Sequence, residues 1–99
     1  MKVDQSRREG VVGIAWYKPT QWKLLHESSE DTDELDGTYL QWSDAASDMM
    51  RQLRLAGVRV QRVDIDVEDL IKWCKEKGVA VNGESRSRYL GEKLREEYL

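Results

Sequence analysis

Between Leu35 and Ala56, apolar residues recur at Leu35, Tyr39, Trp42, Ala46, Met49, Leu53 and Ala56, in alternating steps of four and three. Only an α-helix returns such positions to one side. The spacing therefore predicts a helix with one apolar seam about three heptads long, ended by Gly57. Thr32, followed by Asp33 and Glu34, predicts its start: a capping hydroxyl with carboxylates in the first turn. In a chain of 99 residues, enough for one modest core, the other elements must be short and laid against this helix.

Those elements follow from local pattern. Residues 1–10 mix charges without periodicity and predict a mobile tail ahead of a single domain over 11–99. Val11 to Tyr17 is β-branched and aromatic, with Val12, Ile14 and Trp16 on one side and Val11, Ala15 and Tyr17 on the other. Apolar on both faces, it predicts an internal strand. Pro19 suits the first turn of a helix that turns Trp22, Leu25 and His26 inward. Gly57 to Ile65 predicts a second strand. Its apolar parity slips at Gln61-Arg62, which predicts either a bulge or an early end of the strand near Arg62. Asp66 caps a helix with the stripe Val67, Leu70, Ile71 and Cys74, closed by Gly78. Asn82-Gly83 opens a last helix with Leu90, Leu94 and Tyr98 on its buried side. The expected class is α+β in the order β-α-α-β-α-α, a small two- or three-stranded sheet with helices on one face. Two strands make a marginal sheet, so either Val79–Val81 supplies a third or a second copy does.

The chain offers little for chemistry. An EF-hand beginning at Asp31 would place Leu35 fifth, Asp36 where glycine is needed and Trp42 where glutamate is needed. His26 and Cys74 are too few for structural zinc, and Cys74 has neither a CxxC partner nor an activating base. Asp64 and Asp66 share a strand side and could serve a metal-assisted enzyme, with His26 as the other candidate, but Asp66 is better used as a cap. No glycine-rich phosphate loop is present. These readings give no catalytic residue, cofactor or metal. No apolar run approaches the roughly 18 residues of a membrane span, and Met1–Gly10 has no secretory apolar segment. A lone cysteine fits a reducing cytoplasm.

Two features point to binding. Four Trp, four Tyr and no Phe favour rings with one wet edge, as at interfaces. Trp16, Tyr17 and Trp22 meet at the Pro19 corner, and Tyr39 and Trp42 lie on the long seam, which could pair between subunits. Charge is also segregated. Leu24 to Met50 holds no Lys or Arg, whereas Met49 to Val63 holds no Asp or Glu but has Arg51, Arg54, Arg59 and Arg62. The helix dipole favours that polarity, yet the arginines also form a candidate anion or nucleic-acid patch, extended by Arg86 and Arg88 near Tyr89. A net charge of −3 gives no support to general polyanion binding.

The run Ile14-Ala15-Trp16-Tyr17-Lys18-Pro19-Thr20-Gln21-Trp22, with Val63-Asp64-Ile65-Asp66-Val67 and Trp73-Cys74, resembles a group of short bacterial proteins. They share an Ile-Ala-Trp-Tyr-x-Pro-x-x-Trp opening, and the likeness covers most of residues 11–95. It implies a bacterial cytoplasmic origin and carries over no activity, cofactor or site. The expectation is a non-enzymatic interaction protein that self-associates or binds a protein partner. The alternatives are a nucleic-acid binder and a metal-assisted enzyme.

Overall fold

The computed structural model describes residues 3–32 and 37–99. Strand β1 (Gln5–Arg8) pairs antiparallel with β2 (Val11–Tyr17), which pairs parallel with β3 (Arg59–Ile65), in the order β1-β2-β3. Among the described residues, four helices complete the α+β fold: α1 (Trp22–Ser28, after a 3₁₀ turn at Pro19–Gln21), α2 (Tyr39–Leu55), α3 (Val67–Lys77) and α4 (Gly83–Tyr98). Among the described residues, no helix is long and apolar enough to cross a membrane.

The third strand comes from residues expected to be a tail. Glu9 and Gly10 both take positive φ, 51° and 80°, which is the tight two-residue turn whose twist matches a hairpin. Val3 and Asp4, ahead of β1, are buried. Val79–Val81 adds no strand; Val81 makes an isolated bridge to Ser29. The bulge or early end expected near Arg62 is also absent, since pairing runs unbroken from Val11↔Arg59 to Tyr17↔Ile65. The parity slip has another cause: helices cover both faces of the sheet. Trp16 meets Trp42 of α2, with ring centroids 5.1 Å apart. On the opposite face, a Cβ at Gly13 would lie 3.0 Å from Leu94 of α4. Apolar residues of either parity therefore find cover.

The long helix starts later than expected. Thr38 is its cap, in a reciprocal box with Gln41, and Leu35 with Asp33, Glu34 and Asp36 lies outside the described residues. Its seam packs on its own sheet, with Trp42 and Ala46 fully buried and Tyr39, Met49 and Leu53 partly so. Asp66 caps α3 by accepting from the N–H groups of Glu68 and Asp69, and Gly78 closes that helix in the left-handed conformation.

Candidate functional site

The aromatic corner is core rather than surface. Trp42 sits among Trp16, Tyr17, Trp22 and Tyr39 with centroid separations of 5.1–5.4 Å. Tyr17, Trp22 and Trp42 are buried, and the Tyr39 hydroxyl donates to the Tyr17 carbonyl at 2.8 Å. Six rings, counting His26 5.0 Å from Trp22, gather large apolar area in a chain without Phe. Tyr17, Trp22 and Trp42 are thus removed from the expected contact surface. Trp16 keeps one exposed edge, with the Arg62 guanidinium 4.5 Å over its ring.

The arginines separate as well. Arg54 and Arg62 line a cavity of about 190 Å³ with Trp16, Ser47 and Met50. Arg51 instead pairs with Asp48 one turn back on α2, and Arg59 opens β3; neither lines that cavity. Arg86 leaves the expected surface patch altogether, being 2% exposed.

Arg86 holds together segments remote in sequence. Its Nε donates to Asp4 Oδ2 at 2.9 Å, and Nη1 and Nη2 donate to the two oxygens of Asp31 at 2.8 and 3.2 Å. Nη1 also reaches Ser29 Oγ at 3.2 Å. Tyr17 Oη donates to the same Asp4 oxygen at 2.7 Å, and the Gly83 N–H donates to Asp31 at 2.8 Å. Burial raises the Tyr17 hydroxyl's pKa well above its ordinary value, and the Asp4 carboxylate adds to the shift. Burial opposes ionisation of Asp31 but is outweighed by the Arg86 and Gly83 donors, which hold it below the usual carboxylate value. Burial likewise disfavours the Arg86 cation, and the bonds it donates to Asp31, with the Asp4 charge, reverse that, so it stays charged. The knot is built to be satisfied, not to react: its donors and acceptors face one another.

Asp64 and Asp66 do not converge on a metal. Asp64 lies 3.4 Å from Arg62, while Asp66 caps α3, takes a bond from Gln21 and sits 3.6 Å from Lys18. The Asp69 N–H is the chief cause of the lowered Asp66 pKa. Among the described residues, no group of three or more His, Cys, Asp or Glu could hold a metal ion.

Two surfaces stand out among the described residues. The outer face of α2 carries Leu40 and Leu55, 68% and 81% exposed, with Asp44, Ser47 and Arg51 between them. The other is a basic cleft of about 380 Å³ lined by Arg8, Lys77, Arg88, Glu92 and Arg95. Its helical part, Arg88, Glu92 and Arg95, was readable in the sequence as one side of a helix. Arg8 was hidden in the supposed tail. Asp4 and Asp31 left no local signal of a partner 82 or 55 residues away. No protein-family model, curated protein or solved structure matches this chain.

Proposed function

We propose that this chain is a small non-enzymatic interaction protein that pairs with a second copy of itself through the outer face of α2. What carries the reading is the self-complementary order of that face. Leu40, Asp44, Ser47, Arg51 and Leu55 lie within about 80° of one another around the helix, opposite Trp42, Ala46 and Leu53. Two such faces laid antiparallel about a two-fold axis near Ser47 bring Leu40 to the second copy's Leu55 and Asp44 to its Arg51. Each contact is made twice, as an isologous interface requires. Small Ser47 at the crossing allows close approach.

The internal pair of Arg51 with Asp48 is exposed, and pairs of that kind contribute little, so Arg51 is free to be shared. Four leucines, each worth about 1.5–3 kcal/mol when fully buried, stand against an association cost of at least about 4 kcal/mol. The expected dimer is therefore weak, micromolar or looser. The buried, unpaired Cys74 and the bacterial resemblance fit a reducing bacterial cytoplasm for this protein.

Sedimentation over a concentration series tests the reading. The wild-type chain should dimerise, Arg51→Glu should remain monomeric, and Asp44→Arg combined with Arg51→Glu should dimerise again. A wild-type monomer at millimolar concentration, or a dimer indifferent to Arg51→Glu, overturns it.

A further inference from the structure

We infer that the cleft between β1, α3 and α4 is a binding site for the sugar–phosphate backbone of a single-stranded nucleic acid. The cleft is lined by Arg8, Lys77, Arg88 and Arg95 with one carboxylate, Glu92, on a protein whose net charge is −3. Among the described residues, none of these four cations forms an ion pair with a carboxylate, whereas Arg51, Arg62, Arg86, Lys18, Lys23 and Lys93 each do. Three of the four cations have a local reason to be where they are. Lys77 and Arg95 complement the C-terminal ends of their helices, and Arg8 guards a sheet edge. None of those reasons calls for all four around one concavity.

The cleft is also shaped on purpose by the fold. Gly91 lies between Arg88 and Arg95 on α4, and a Cβ there would fall 3.1 Å from Arg8 Nε and 2.8 Å from Ser6 Oγ. The missing side chain lets Arg8 lie across α4, in line with the other two arginines. Arg88 and Arg95 are two helical turns apart, about 10 Å. One strand of a duplex carries a phosphate per about 3.4 Å of axis, and a more extended single strand still presents about two charges over such a length.

Three features favour this ligand over an acidic protein or a duplex. The lining is wholly charged and offers no apolar pocket for a peptide anchor. Three of the four cations are arginines, whose planar fork suits phosphate oxygens. The Arg88 guanidinium is backed by the Trp73 ring at 5.5 Å, with Lys77 at 5.9 Å from the same ring, and a guanidinium plane held in this way can stack on an unpaired base. Duplex grooves are read by convex elements, while a concave charged groove tracks one strand.

Fluorescence anisotropy with labelled oligo-dT and oligo-U of 15 nucleotides tests the proposal on the intact chain. Binding should appear at low salt, and log K should fall with log salt at a slope of about −2 to −3, the value for three or four phosphate contacts on a single strand. Arg88→Gln with Arg95→Gln should weaken binding at least about tenfold while the thermal unfolding curve stays in place. Lys77→Gln, on a different helix, should weaken it less. Lys23→Gln, an exposed cation on α1 away from both the cleft and the outer face of α2, should leave binding unchanged, which shows that the cleft and not total charge is responsible. Absence of binding at low salt, indifference to the Arg88 and Arg95 changes, equal binding of polyglutamate, or preference for duplex would each overturn the proposal.

Discussion

Arg86 and Arg88 stand two residues apart on α4, yet their surroundings differ in every respect. Arg86 is buried, bonded to Asp4 and Asp31, and close to the Tyr17 hydroxyl. Arg88 is exposed, rests on Trp73 and joins three other cations with one carboxylate among them. A charge taken out of water must be matched nearly atom for atom, so Arg86 recruits partners from two segments remote in sequence. A charge left in water needs no such match, and like charges can gather at small cost. The helix therefore presents a cation that organises the protein and, on its opposite side, cations free to meet something else.

That contrast can be tested by substitution. Arg86→Met should cause the largest loss, about 3–5 kcal/mol by urea unfolding, because it strands two carboxylates. A loss no greater than that of a surface change would erase the distinction between the two arginines. Asp4→Asn should cost less, about 1.5–3 kcal/mol, since the amide oxygen still accepts one of the two bonds now made to Asp4 Oδ2. Asp31 supplies a pH signature. Its folded pKa is depressed, so its contribution is fully present above its unfolded pKa of about 3.9 and drains as pH falls through the lower folded value. Asp31→Asn should flatten the fall in unfolding free energy below about pH 4. Arg88→Gln and Arg95→Gln should be smallest, within about 0.5 kcal/mol of wild type, and stability slightly gained would sharpen the contrast.

What could be read from the chain alone divides along the same line. Helix seams and caps are local: the α2 stripe, the Asp66 cap, the Asn82 start of α4 and the internal strand at Val11–Tyr17 follow from neighbours in sequence. Strand β1 did not show itself, because Gln5 to Arg8 carries no apolar alternation and its turn, Glu9-Gly10, is not one of the strongest hairpin pairs. Aromatic residues were recognisable, but not which of them are wet. That depends on Trp42 reaching four other rings across the corner. Arg86 read as surface because arginine usually is, and its two carboxylates come from segments with no sequence relation to it. The basic cleft was half legible, as the stripe on α4, and only the hairpin brings Arg8 to it.

The bond between Asp4 and Arg86 joins residues 82 apart in a chain of 99. During synthesis at about 5–20 residues per second, the hairpin is complete roughly 3–14 s before the guanidinium that Asp4 awaits. Through that interval Asp4 and Tyr17 have no cation to close upon, and the face of β2 that will receive Leu94 is bare. The contacts that Arg86 and Leu94 make with the hairpin can therefore form only after α4 has been made.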